Sequence, residues 1–277
     1  MQGIRRGIRV VDLRQQNAGD PPPGGGHVSA QSDERTRHGH AVLDLASRRQ
    51  KGEKIERLLE LEGMFPKRLL EIGTGSGGIA HYFATQTSGR FSVEAVDVTD
   101  TRRVRDGYGF KLVTSTTLPF ESASFDVVLT NHVIEHVGDR AAQLAHLVEV
   151  ARVLKPHGVA YLAVPNRWML VEPHYKLAFL SWLPHGWRSA YLRLAHKGSF
   201  YDCEPLQMHE IESLSKEARL IARNRSVDAF RLVIAIEGDK GWLARRVAAL
   251  SDARLERLAP FIPTHIYTLV HRPEIVD

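Results

Sequence analysis

The sequence predicts an α/β fold, a mostly parallel sheet with helices on both faces, and three observations carry that prediction. First, Arg68 to Ala80 reads RLLEIGTGSGGIA, a short apolar run (Leu69, Leu70, Ile72) stopped by Gly73, Gly75, Gly77 and Gly78, with a helix opening near Gly78. Second, another apolar run, Phe91 to Val98, ends on an acid, Asp97. Third, two further strand-like runs on either side of a helical segment follow within residues 125–165. Glycine serves where a backbone needs positive φ or must approach a ligand without a Cβ in the way. A strand, a glycine turn and a helix N-terminus together cradle a nucleotide-like ligand. Gly73, Gly75 and Gly78 also satisfy the G-x-G-x-x-G dinucleotide fingerprint, so this stretch alone leaves two ligand classes open.

With 277 residues and 43% hydrophobic content the chain can bury a full core, and its length suits one α/β domain with an insertion or a tail. No run of 18 apolar residues occurs, so no transmembrane span is expected. The opening MQGIRRGIRVVDLRQQ has arginines but neither an apolar core nor a small-residue cleavage site, unlike a secretory signal. The expected location is the cytoplasm. The one cysteine, Cys203, can form no intrachain disulfide, and without a Cys-x-x-Cys pair no thiolate zinc site is expected, so Cys203 reads as structural. An excess of 37 basic over 32 acidic residues falls well short of the dense basic stripe of a dedicated nucleic-acid binder.

Residues 1–37 are rich in glycine, proline and arginine, and PPPGGG at 21–26 continues neither helix nor strand. This segment reads as a disordered tail ahead of a domain over 38–277. From Arg37 to Leu61, the apolar residues Val42, Leu45, Ile55, Leu58, Leu59 and Leu61 recur at helical spacing, opposite Arg48, Arg49, Lys51 and Lys54. One or two helices therefore lead into the first strand. Past the glycines, Ile79 to Thr85 continues as helix. Asp97 then falls about 20 positions beyond the glycines, where a carboxylate at a strand's end accepts hydrogen bonds from ribose hydroxyls. Gly109 to Val113 is a third strand and Val127 to Thr130 a fourth, preceded by LPFESASFD and followed by NHVIEHV at 131–137. A helix from Asp139 through Val153 reaches a turn at Lys155 to Gly158, and Val159 to Val164 is the fifth strand, ended by Pro165.

In order and spacing, EIGTGSGG, an acid ending the second strand, LPFESASFDVVLTNHVIEHV and ARVLKPHGVAYLAVPN closely resemble the class I S-adenosylmethionine-dependent methyltransferases of the small-molecule type. The resemblance covers residues 66–166 and weakens beyond them. It implies a Rossmann-like, seven-stranded, mostly parallel sheet, S-adenosyl-L-methionine as cofactor and methyl transfer to a small molecule, and it disfavours a nicotinamide enzyme. It also implies roles. Glu71 orders the loop near the amino end of the methionine moiety; Gly73, Thr74, Gly75 and Gly77 pass under the cofactor; Asp97 takes the ribose; Asn131 stands where cofactor and acceptor meet. Many relatives carry a Gly-Asp-Ala triplet before the LPF segment, its aspartate bonding the adenine amino group. Here the aligned triplet is Val113-Thr114-Ser115, so Thr114 or Ser115 takes that contact, as a neutral hydroxyl about 1 kcal/mol weaker.

Methyl transfer needs a nucleophile held in line with the S–CH3 bond and shielded from water. For a hydroxyl acceptor a general base is useful, and histidine has a suitable pKa. His136, His132 and His174 are the candidates, His136 first because it follows the fourth strand; the alternative for Glu135-His136 is a pair that caps and orients the turn. His132 to His136 also fits the H-x-x-E-H pattern of inverted zinc peptidases, which needs both histidines on one helical face plus a distant third ligand. That alternative gives no account of the glycine loop or Asp97, and no metal is expected. Thr114 in place of an acid motivates another alternative, a non-catalytic S-adenosylmethionine-binding protein.

An insertion over 166–205 follows the fifth strand and is too long for a plain connection. From Pro173 to Phe200 it has no acid, while Lys176, Arg188, Arg193 and Lys197 are basic and Tyr175, Phe179, Trp182, Trp187, Tyr191 and Phe200 aromatic. Trp187, Tyr191 and Leu194 share one helical face. Two readings stand. Either a helical lid packs this face onto the domain and leaves its cations in water, or the lid also recognises an anionic, partly apolar acceptor, or rests peripherally on a membrane surface that carries one. The EPHY, LSWLP and YLR segments resemble bacterial methyltransferases associated with surface-polysaccharide and glycolipid synthesis, which implies a lipid-linked glycan acceptor and O-methylation. Arg167, His174, Tyr175 and Tyr201 are the candidate acceptor contacts. Beyond the lid, Gln207 to Leu220 reads as a helix, and Val227 to Glu237 and His265 to His271 as the last strands. Trp242 to Leu258, within a helical insertion over 240–260, reads as one basic amphipathic helix. Its Leu243, Val247, Leu250, Leu255 and Leu258 face inward and Arg245, Arg246, Arg254 and Arg257 outward.

Overall fold

The structure, a computed structural model, describes residues 44–172, 174–237, 246–247 and 249–273. The expected tail over 1–37 and the residues Val42, Pro173, Trp242, Leu243 and Arg245 lie outside the described residues. Helix α1 (Leu45–Leu59) leads into β1 (Lys67–Ile72), α2 (Gly78–Thr85), β2 (Phe91–Asp97), β3 (Gly109–Leu112), β4 (Phe125–Asn131), α3 (Arg140–Val153) and β5 (Leu154–Pro165). Two short strands, β6 (Val171–Glu172) and β7 (Leu177–Ala178), and helix α4 (His185–Leu194) follow. The described chain closes with α5 (Met208–Glu217), β8 (Leu220–Asn224), α6 (Ser226–Glu237), α7 (Asp252–Leu258) and β9 (Thr264–His271).

The sheet has seven strands in the order β3-β2-β1-β4-β5-β9-β8. All neighbours are parallel except β9, which runs antiparallel to both β5 and β8. The strand order reverses between β1 and β4, and in such sheets the crevice outside the carboxyl ends of those two strands is where ligands bind. Central strands buried on both faces must be apolar at successive positions. Accordingly Leu69 and Leu70 in β1 and Val127, Val128 and Leu129 in β4 have no exposed surface. Alternate residues serve opposite faces. Leu70, Val96 and Val128 pack with Leu147 and Val150 of α3 and Ile211 and Leu214 of α5. Leu69, Val93 and Val127 pack with Ile55 and Leu58 of α1, Ile79 and Phe83 of α2 and Ala229 of α6. Each fully buried leucine contributes about 1.5–3 kcal/mol, so the crevice is framed by the stiffest part of the molecule. Helix starts follow their caps: the Asp44 carboxylate accepts from the Ala46 and Ser47 amides (3.1 and 3.2 Å), and Asp139 accepts from Ala142 (3.0 Å).

Five expectations are corrected. Val227 to Glu237 is a helix, not a strand: the Asn224 side chain accepts from the Ser226 amide (2.8 Å) and turns the chain into α6, with Ala229 against the core. The edge strand is instead Leu220–Asn224, and the helix expected to reach Leu220 ends at Glu217. Trp242 to Leu258 is not one continuous helix, because Ser251 is extended (φ −64°, ψ 154°) and starts α7 afresh; Leu255 is buried but Leu258 is 43% exposed. The Lys155 to Gly158 turn lies inside β5 as a bulge, since Phe125 pairs with Leu154 and Val127 with Val159. Helix α4 turns a different face to the protein: Trp187 and Leu194 are 70% and 79% exposed, whereas Arg188 and Leu192 are buried and, of the three residues grouped by helical spacing, Tyr191 packs against the small core. The guanidinium of Arg188 is taken inward because it donates to the Leu183 carbonyl (2.9 Å), the Ser181 carbonyl (3.3 Å) and Glu204 (3.2 Å).

Candidate active site

Gly73, Gly75 and Gly77 all have left-handed backbones, with φ of 72°, 53° and 79°. A Cβ at Gly73 would lie 2.4 Å from Val133 Cγ2, and one at Gly77 would lie 2.4 Å from the Val104 carbonyl oxygen, so both conformation and space call for glycine. The turn is braced from below by Glu71, whose Oε2 accepts from Thr74 Oγ1 (2.7 Å) and the Ala80 amide (3.0 Å). Burial pushes the Glu71 carboxyl up to about 8, against those hydrogen bonds and the charge of Arg48. At the end of β2, Asp97 Oδ2 accepts from the Gly75 amide (2.8 Å) and Oδ1 from the Val98 amide (2.7 Å). The Val113 amide donates to the Asp97 carbonyl (2.9 Å), which sets the exposed Thr114 and Ser115 just beyond the same strand ends.

On the other side of the crevice Asn131 ends β4, paired with Ala163, and its Oδ1 is buried with no hydrogen-bond partner. A buried acceptor of this kind is unusual and calls for a donor. His132 follows with φ 59°, and Ile134–His136 makes one turn of 3₁₀ helix. Glu135 is fully buried, its Oε1 lying 3.2 Å from His132 Nδ1 and 3.9 Å from His136 Nε2. Burial alone would raise this carboxyl, but the hydrogen bond and charge of His132 and the charge of His136 outweigh it and hold Glu135 below the usual carboxylate range. No α-helix carries His132 and His136, so the helical face that the H-x-x-E-H alternative requires is missing.

Segment 166–205 docks on this turn. The Glu204 amide donates to the Glu135 carbonyl (2.7 Å), and Gln143 Nε2 donates to the Glu204 carbonyl (3.1 Å). The docking brings His174 against His136, ring centroids 5.2 Å apart, with His174 Nδ1 at 2.7 Å from Glu172 Oε1. Burial lowers the His174 pKa, but the bond to Glu172 outweighs it and leaves the imidazole above its ordinary value. Cys203 Sγ lies 3.6 Å from His136 Nδ1 and 3.9 Å from His174 Nδ1. Burial and the charges of Asp202 and Glu172 push its thiol far up. Sequence reasoning missed Cys203, Asp202 and Glu172 as neighbours of the histidines, and no spacing in the chain signals it.

Among the candidate acceptor contacts, Arg167 stacks over Trp168 (6.0 Å to the ring centroid) and keeps a buried Nε with no hydrogen-bond partner. Tyr175 and Tyr201 are buried in a small core with Leu180, Leu192 and Cys203, where the Tyr175 hydroxyl donates to Asp202 (3.0 Å).

Residues 70–162 match the family model described as a methyltransferase domain. The chain is 32% identical over 156 residues to a ubiquinone biosynthesis O-methyltransferase of Caulobacter vibrioides, covering 50% of this chain and 59% of that protein. It is 30% identical over 131 residues to the corresponding protein of Parvibaculum lavamentivorans, covering 43% and 49%. The chain thus spans about half the length of these curated relatives. In fold it is similar to a chain of the complex between the Haloferax volcanii Trm112 methyltransferase activator and a methyltransferase, with a TM-score of 0.51 and 17% identity over 83% of this chain and 96% of that one.

Proposed function

We propose that this chain, whose residues 70–162 form a class I S-adenosylmethionine-dependent methyltransferase domain, moves a methyl group from S-adenosylmethionine to a hydroxyl of a small molecule. The reading rests on one observation above the others: the left-handed Gly73–Gly77 turn is hydrogen-bonded to Asp97 on one side and to Glu71 through Thr74 on the other. These residues fit the cofactor. Bare backbone admits it closely, Asp97 keeps carboxylate lone pairs for ribose hydroxyls, and Thr114 or Ser115 receives the adenine amino group. Asn131 Oδ1 lacks the donor that the methionine ammonium would supply. When bound, the sulfonium provides an electrophilic methyl group.

The chain's own contribution is placement and proton handling. His136 or His132, both held by Glu135, takes the acceptor proton as the oxygen gains its methyl group; His174 adds a third imidazole at the same turn, and Arg167 bonds the acceptor. The curated relatives are O-methyltransferases, which supports oxygen as the acceptor atom. The finer assignment is a lipid-linked glycan presented on the cytoplasmic face of a membrane. Segment 166–205, read as a lid, carries exposed Trp168 (41%), Leu170 (64%), Phe179 (50%), Trp187 (70%) and Leu194 (79%) beside exposed Arg193, a composition that favours an interface. Among the described residues no helix is long and apolar enough to cross a membrane, and the contact proposed is a peripheral one.

Calorimetry with S-adenosylmethionine and, separately, NADH tests the reading, with binding expected for the sulfonium compound alone. Equal binding of both overturns it. Radiolabelled methyl transfer to a panel of glycolipid and phenolic acceptors then separates catalysis from the non-catalytic alternative, which cofactor binding without transfer to any of them would favour.

A further inference from the structure

Where segment 166–205 docks on the turn after β4, three overlapping groups of metal-capable side chains meet: Glu135, His136 and His174; His136, Asp202 and Cys203; and Glu172, His174 and Cys203. Within each group one donor atom per residue lies within 4.8 Å of the others. His136, His174 and Cys203 each belong to two of them. The separations have a specific scale. With Zn–S near 2.3 Å and Zn–N and Zn–O near 2.0–2.1 Å, a tetrahedral site has S···N and S···O edges of about 3.5 Å. Cys203 Sγ lies 3.6 Å from His136 Nδ1, 3.6 Å from Asp202 Oδ1 and 3.9 Å from His174 Nδ1.

We infer that this junction binds one zinc-like divalent transition-metal ion through Cys203, His136 and Asp202, one of the three groups and the one whose two separations from Cys203 Sγ are 3.6 Å, which leaves His132 as the imidazole that takes the acceptor proton. Thiolate and imidazole donors select borderline-soft ions over magnesium and calcium. Glu135 Oε1 lies 3.9 Å from His136 Nε2, the ring nitrogen other than the one near Cys203, where the supporting group of a metal-bound histidine commonly stands. Charge points the same way. Glu135 and Glu172 are fully buried here, and Glu135 Oε2 has no hydrogen-bond partner, an accumulation of negative charge that a dication offsets. Binding converts the Cys203 thiol to a thiolate, its proton passing to solvent. The ion ties segment 166–205 to the β4 turn.

The test uses the full chain, stripped with a chelator and titrated with zinc alone and with cobalt(II) alone. One equivalent of zinc is expected to bind, and cobalt is expected to give thiolate-to-metal charge-transfer absorption. Cys203→Ser should abolish that absorption and weaken zinc by about 100-fold or more, whereas His136→Gln should weaken zinc and keep the absorption. His185→Gln, an exposed imidazole outside the three groups, should leave both unchanged. Should Cys203→Ser fail to fold, His136→Gln and Asp202→Asn decide the matter. Absence of stoichiometric zinc in the wild-type protein, or equal zinc affinity in the ligand variants, overturns the site. S-adenosylmethionine binding measured on the same samples keeps the two ideas apart: cofactor binding without zinc sinks the metal site alone.

Discussion

Asp97 holds the glycine turn by one oxygen and the start of the next loop by the other, so it shapes the cradle, and in the proposed function it also binds the ribose. Asp97→Ala should weaken S-adenosylmethionine by about 1–3 kcal/mol, the range for a polar group left without its partner, as read by calorimetry. Unchanged affinity in a variant that melts like the wild type would remove the carboxylate from the site. This residue was legible in the chain because its neighbours are local: the glycines and the acid that follows them belong to one strand-turn-helix-strand unit. Cys203 was not. Its partners His136 and His174 reach it only because a long segment folds back, and nothing in linear spacing encodes that return.

Helix α4 shows why elements are harder to read than residues. Helical spacing grouped Trp187, Tyr191 and Leu194, but periodicity identifies a face without saying where it points. The direction was decided by carbonyls at Ser181 and Leu183 and by Glu204, which gather the Arg188 guanidinium inward. Arg188→Ala should therefore destabilise the chain by about 2–3 kcal/mol, less than a fully buried pair because Glu204 is 37% exposed, and should open residues 166–205 to limited proteolysis. The outward face has a different test. The double substitution Trp187→Ala, Leu194→Ala should leave the melting temperature within error and lower partitioning onto anionic vesicles about tenfold or more. Undiminished partitioning would argue against the membrane contact. The exchange of strand for helix at Val227–Glu237 has a comparable cause: the apolar run suits either state, and the Asn224 turn selects helix.

For the whole molecule, the seven-stranded order was legible because buried parallel strands are apolar throughout and end in recognisable turns. The acid stability of the core follows from two buried histidines, His146 on α3 and His265 on β9. Burial lowers His146 and His265 to about 4 each, and the unfolded chain binds the same protons near 6.5. Their contribution is complete above pH 6.5 and is lost as pH falls toward 4, on the order of 3 kcal/mol for each group. Glu71 and His174, whose folded values are raised, act in the opposite direction, so the informative quantity is a difference. Denaturant melts at pH 7.5 and 5 should show a smaller acid loss for the His146→Gln, His265→Gln variant than for wild type. Equal losses would contradict the assignment.

Strand β9, the last of the described strands, lies between β5 and β8 and pairs with both. A ribosome must therefore deliver Thr264–His271 past its exit tunnel before that half of the sheet can zip shut. Until then the growing polypeptide shows two unpaired strand rims to the cell, a vulnerable interval in which trigger-type chaperones have something to hold.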